Sequence, residues 1–204
     1  MRLQSLLCVS TFALVTAISS SHETRKANGN EEIFKFYSTK ELIWTTHTTG
    51  EVRRLCKVDL KETLISKSIA FRRSFYEDRR WVMREYSGTF RKSGTFNRTA
   101  REPYDTLDVK RNIDGNMRHI VTETLHYQSK DNRCAVFLIL GTHGTSVKLR
   151  YELRMRDSKI KEGFNYQDPC WKALNDAKHK KILKLYDKKC QNALHKLYPN
   201  PLQP

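Results

Sequence analysis

Four cysteines, Cys56, Cys134, Cys170 and Cys190, are the residues of this chain whose type and spacing most directly name a chemistry; a fifth, Cys8, sits inside an N-terminal apolar stretch. None of the four belongs to a CxxC pair, the spacing on which thiolate zinc sites are commonly built. An even number of thiols in an exported chain points instead to two disulfides, although four cysteines permit three pairings and spacing selects none of them. No other motif supplies reactive chemistry: the sequence has no HExxH, no GxSxG, no phosphate-cradling glycine loop and no cysteine beside a histidine. His47, His119, His126 and His143 are dispersed, and each reads as an ordinary strand or loop histidine rather than a ligand or general base. The chain is therefore expected to bind rather than catalyse, with no cofactor and no metal.

Whether those thiols meet an oxidant depends on the N-terminus. Met1-Arg2 gives a positive start, residues 3–18 an apolar run of secretory length, and Ser19, Ser20 and Ser21 a small-residue cleavage site, so residues 1–21 read as a signal peptide. Gln4, Ser5, Ser10, Thr11 and Thr16 interrupt the run, which falls short of the roughly 20 apolar residues of a spanning helix. The mature chain is expected to be extracellular, with no membrane span. Residues 22–32 are polar and aperiodic, a loose arm, and residues 33–204 suffice for one domain with one core. The net charge of +16 directs attention to polyanionic glycans or an anionic ligand before nucleic acid, though it equally serves a solvated surface.

From Ile33 onward, segments rich in β-branched and aromatic residues succeed one another over 41–49, 55–65, 68–77, 80–91, 104–110, 117–128, 133–141 and 146–156, with turns such as Asp114-Gly115-Asn116 between them. Residues 135–140 are continuously apolar, as in a strand covered on both faces. A cover is available near the C-terminus. Asp168 can cap a helix with Pro169 in its first turn, and Trp171, Leu174, Ile182, Leu185 and Tyr186 recur at helical spacing, which predicts one amphipathic helix over 168–190. Eight strands followed by one helix predict an all-β fold: an antiparallel up-and-down barrel enclosing one ligand.

Residues 134–140, the 141–144 turn, Tyr151-Glu152-Leu153, Asp168-Pro169-Cys170 and the segment 185–190 resemble the tick salivary lipocalins called histamine-binding proteins. Residues 43–49 followed by Cys56-Lys57-Val58-Asp59 fit the same family, and the resemblance spans roughly residues 33–190. It implies pairing of Cys56 with Cys190 and of Cys134 with Cys170. It also implies a cavity that captures an amine, with the Glu and Trp of a Tyr-Glu-Leu-Trp segment, and an Asp after the cysteine at 134, turned inward. The Glu is kept here as Glu152, while Arg154 stands at the Trp position and Ala135 at the Asp position.

That departure opens two orientations for 147–156. Periodicity alone sends Val147, Leu149, Tyr151, Leu153 and Met155 into the barrel; the resemblance sends Glu152 and Arg154 there instead. A lumen holding Arg154 suits the carboxylate of a fatty acid or eicosanoid. Trp44, Phe75, Trp81, Val121, Glu123 and Tyr127 are further candidate lining residues, Glu123 being costly to bury without a cation. The expected partner is one small host mediator, a biogenic amine or an eicosanoid, bound by a monomer, with polyanionic glycans as a further possibility. Asn97-Arg98-Thr99 is an N-glycosylation sequon. Arg72-Arg73 and Arg79-Arg80 read as solvated surface.

Overall fold

The computed structural model describes residues 33–50, 54–93, 104–143, 146–178 and 180–197. The leader and arm expected over 1–32 and the Asn97 sequon lie outside them. The strands are β1 (Ile43–Thr48), β2 (Leu55–Ile65), β3 (Ser68–Glu77), β4 (Arg80–Arg91), β5 (Thr106–Ile113), β6 (Asn116–Gln128), β7 (Cys134–His143) and β8 (Ser146–Arg156). From β2 to β8 each pairs antiparallel with the next, and β1 meets both β8 and β2, so the sheet closes on itself. The β5–β6 hairpin turns on Asp114 and Gly115, at φ 53° and 81°, the left-handed pair that a two-residue loop needs to match strand twist.

Closure at β1 is shared. β1 pairs with β2 at Ile43–Asp59 and Trp44–Val58, while the short β9 (Leu183–Lys184) takes its edge at Thr48 and His47. Leu185 then donates its N–H to the Thr46 carbonyl at 2.8 Å and accepts the Cys56 N–H at 2.8 Å. This segment is a wedge in the seam that satisfies backbone groups an open edge would leave unpaired.

The wedge corrects the single helix expected over 168–190. After the one-turn α2 (Asp157–Lys161), α3 (Pro169–Ala177) begins as expected, with the Asp168 carboxylate accepting the Cys170 N–H at 2.8 Å, but it ends before the cationic run that starts at Lys178. The chain then extends into β9 before α4 (Lys188–Leu197) forms. Like charges at helical spacing, Lys178 with Lys181 and Lys180 with Lys184, would repel along a continued helix, and the open edge of β1 recruits the residues whose spacing had looked helical.

β8 settles its own orientation. Leu153 and Met155 pack outward, with Cys134 and Val136, against Cys170, Ala173 and Leu174, while Val147 and Leu149 are 65% and 48% exposed. Glu152 and Arg154 face inward and are buried. The periodicity reading is overturned because α3 supplies the apolar partner on the outside and the interior supplies countercharges. β7 is covered on both faces only over its first half: Ala135, Phe137 and Ile139 lie inside and Cys134 and Val136 beneath α3, while Leu140 on the outer face is 43% exposed, because α3 does not reach that far.

The disulfides are Cys56–Cys190 and Cys134–Cys170, with Cα separations of 5.2 and 6.2 Å, the pairing the resemblance implies. They consume all four thiols, which closes the zinc alternative. At one end of the barrel α1 (Ile33–Tyr37) buries Ile33, Phe36 and Tyr37 in the core, and Arg156 Nη2 donates to the Lys35 and Phe36 carbonyls at 2.8 and 2.9 Å. Among the described residues no helix is long and apolar enough to cross a membrane.

Candidate functional site

Strand alternation sorts the interior into layers measured from α1. Nearest the helix is an aromatic layer: the Tyr37 ring lies 6.5 Å from Phe71, 6.4 Å from Phe90 and 6.2 Å from Phe137, with Phe36 5.4 Å from Phe137. Such tilted and offset contacts suit ring quadrupoles and exclude water.

The next layer is ionic. Arg154 is fully buried and donates to Glu123 through Nη1 at 2.6 Å and Nη2 at 2.8 Å, and to Glu152 through Nη2 at 2.7 Å. Arg73 forks onto Asp59 at 2.6 and 2.7 Å and reaches Glu123 at 3.1 Å, and Lys57 Nζ donates to Glu152 at 2.7 Å. Tyr37 links helix to cluster, accepting from Arg154 Nη1 at 2.7 Å and donating to Glu123 at 3.1 Å. Burial would raise the Glu123 carboxyl, but Arg154 and Arg73 hold it well below the usual carboxylate range. Burial likewise raises Glu152, and Lys57, Arg150 and Arg154 overcome it. Lys57 goes the other way: burial and then Arg73 pull its ammonium down to about 7 despite Glu152. An ammonium so desolvated and crowded by cations is a group short of negative charge.

One step further from α1 the interior turns cationic. Phe75 follows Phe71 and Arg73 on the inward face of β3, and its ring carries the Arg54 guanidinium at 4.5 Å and that of Arg84 at 5.3 Å. Arg54 pairs with Glu77 at 3.0 Å, whereas Arg84 has no carboxylate partner among the described residues. Arg150 on β8 reaches back to Glu152 at 3.0 Å, its stem against Gly50, where a Cβ would lie 2.6 Å from Arg150 Cδ.

Of the residues singled out in the sequence, Glu152, Arg154, Glu123, Val121 and Phe75 border this interior. Trp44, Trp81 and Tyr127 do not. Trp44 packs with Val58, Cys190 and Leu194 and donates to Asp157 at 2.9 Å, Trp81 joins that cluster, and Tyr127, turned over by a bulge between Leu125 and Tyr127, packs under α3. Tyr37, Lys57, Asp59, Arg73 and Arg84 belong to the interior and were missed. Arg73, read as surface, is 6% exposed; its parity with Phe71 and Phe75 was the available signal, with Arg72 on the opposite face beside Glu62. His47 lies between the Phe164 and Trp171 rings at 4.8 and 5.0 Å, and burial, then Lys184, lowers it to about 4, so it is neutral at physiological pH. Cys134, Asp168 and Cys170 converge, but the two sulfurs are bonded to each other and the carboxylate caps α3 and pairs with Lys159 at 3.0 Å, which leaves no metal-binding set there.

The closed eight-stranded antiparallel barrel with a helix against its outer wall is the lipocalin fold. No protein-family model and no curated protein sequence matches the chain. Among solved structures, AM182 in its serotonin complex is 17% identical over 80% of this chain and 94% of that one, with a TM-score of 0.54. Apocrustacyanin C2 covers 80% and is covered over 84%, at 8% identity and a TM-score of 0.48. A variant of LTBP1 in complex with leukotriene C4 matches over 76% of this chain and 87% of its own, at 11% identity and a TM-score of 0.48.

Proposed function

We propose that this chain is an exported lipocalin that sequesters one small host mediator in its barrel, as a monomer and without catalysis, and that the mediator carries an acidic group. The observation that carries the acid is the charge balance at the end away from α1. Arg54 and Arg84 lie over the Phe75 ring, and Lys57 and Arg150 bond the Glu152 carboxylate; among the described residues these four cations are met by two carboxylates, Glu77 on Arg54 and Glu152 on Lys57 and Arg150. A carboxylate with an apolar tail, as in a fatty acid or eicosanoid, would meet guanidinium forks and an aromatic wall together. Export is supported by the N-terminal apolar stretch, and an oxidising compartment by the disulfides.

A second reading, capture of a biogenic amine, is favoured by the convergence of Asp59, Glu123 and Glu152. Each of these already holds a buried cation, so an amine would have to displace one. AM182 shares the barrel and binds serotonin, which supports a small guest of some kind in this fold.

Calorimetric titration with arachidonic acid, its matched alcohol and histamine tests the reading. The acid is expected to bind at least about tenfold more tightly than the alcohol, and Arg84→Ala is expected to narrow that gap. Equal binding of acid and alcohol overturns the acidic ligand. Binding of histamine alone installs the amine, and no binding of any of them moves the function to the cationic exterior and polyanionic partners.

A further inference from the structure

The surroundings of the Arg154 guanidinium are those of a recognition site for an organic cation. Carboxylates from different strands approach it, Glu123 on β6 at 2.6 and 2.8 Å, Glu152 on β8 at 2.7 Å and Asp59 on β2 at 3.9 Å. The Phe137 ring carries it at 4.7 Å, and the Tyr37 hydroxyl, from α1, accepts one of its N–H groups. The whole is closed to water, the side chain of Arg154 being 0% exposed. Opposed carboxylates, an aromatic face and a dry enclosure are the three things that make a free ammonium or guanidinium bind.

We propose that Arg154 is a tethered cation occupying an organic-cation site, that it is thereby the residue that excludes free amines from this barrel, and that removing its guanidinium opens the site to small guanidinium and ammonium ions. A side chain attached to β8 competes as an intramolecular ligand, at an effective concentration that a dissolved amine does not match. Without it, Glu123 keeps one Arg73 contact at 3.1 Å and the Tyr37 hydroxyl, a buried carboxylate short of its counterion. The proposal stands on this deep layer alone and holds whatever the outer cationic layer binds.

The test is chemical rescue. Thermal unfolding and calorimetry of the wild-type protein and of Arg154→Ala are followed with methylguanidinium chloride, with methylurea as the uncharged isostere and sodium chloride as the ionic control. The variant is expected to melt lower than wild type and to be raised by millimolar methylguanidinium, with an affinity at least about tenfold above that of wild type. Methylurea and salt should leave it unmoved. Rescue by methylurea, equal response of wild type and variant, or no response of the variant to the cation overturns the proposal. Should Arg154→Ala not fold unaided, its refolding from urea is followed with and without methylguanidinium, and a yield that the cation raises no further than methylurea does overturns the proposal. The double variant Arg154→Ala/Glu123→Gln should lose the cation response, and a double variant that keeps it overturns Glu123 as the anchor. Wild-type titrations with arachidonic acid are unaffected by these outcomes, so this inference and the proposed ligand class fail separately.

Discussion

Arg154 and Glu123 meet as a parallel fork inside the barrel, Nη1 on Oε2 at 2.6 Å and Nη2 on Oε1 at 2.8 Å, with neither side chain exposed to solvent. Each is the reason the other can be buried. A pair of this kind contributes little net stability over an apolar pair of the same volume, because desolvation offsets most of its attraction, yet loss of one partner strands the other. Glu123→Leu is therefore expected to lower the unfolding free energy by about 3–5 kcal/mol. Glu123→Leu combined with Arg154→Met should cost less than the sum of the two single variants. Urea unfolding of the four proteins gives the coupling directly, and additive losses would mean that the two residues act independently.

The same cluster sets the response to pH, with opposite signs on its two sides. Glu123 and Glu152 are held below their unfolded values despite burial, so their contribution is complete above about pH 5 and is lost as pH falls below it. Lys57 is lowered from 10.5 to about 7, so between those values the unfolded chain binds more protons than the folded one and stability rises with pH. The thermal midpoint of the wild-type protein should climb between pH 7 and 10, and Lys57→Met should remove that climb while leaving the acid limb. The variant is expected to fold, because Glu152 retains Arg150 and Arg154. A wild-type midpoint that does not rise over this range would show that Lys57 stays charged throughout.

The barrel was legible because β-branched runs and turn residues repeat, and a two-residue loop such as Asp114-Gly115 imposes its own geometry. The ionic layer was legible only in part: the resemblance turned Glu152 and Arg154 inward and Glu123 stood among the candidate lining residues, but nothing singled out Lys57, Asp59 or Arg73 as interior groups. Period-two alternation separates faces but does not say which face is inside, and the common rule of charges outward gave β8 the wrong orientation. The choice depended on α3 lying against Leu153 and Met155, a tertiary fact. Arg73 was hidden for a related reason: next to Arg72 it looked like part of a basic patch, although the two point to opposite faces. The helix over 168–190 failed where β1 needed an edge partner, which no local spacing encodes.

Gly88 sits in the interior wall with no room for a methyl group. A Cβ there would lie 2.5 Å from Leu107 Cδ1, 2.9 Å from Leu107 Cγ and 3.1 Å from Ile69 Cγ2, and both neighbours are buried. Gly88→Ala is expected to destabilise by about 1–3 kcal/mol through overpacking. Adding Leu107→Val should recover part of that loss, although Leu107→Val alone destabilises. The midpoint of urea unfolding reads both effects, and a silent Gly88→Ala would show that Leu107 moves aside freely.

The seam between β1 and β2 is filled by chain that Cys190 anchors to Cys56, across 134 residues of sequence. Closing so long a loop in the unfolded chain makes this bond worth about 4–5 kcal/mol on the chain-entropy account, against about 3–4 kcal/mol for Cys134–Cys170. The two bonds should also fail differently. In Cys56→Ser/Cys190→Ser the amide of Leu185, bonded to Thr46, and that of Cys56, bonded to Leu185, should lose hydrogen-exchange protection before the amides of β3 to β7 do. In Cys134→Ser/Cys170→Ser those two amides should stay protected, because the second bond holds α3 to β7 rather than the seam. Loss of protection spread evenly over every strand in the first variant would mean that the wedge unfolds only with the whole barrel, and that the disulfide stabilises the fold without governing the seam.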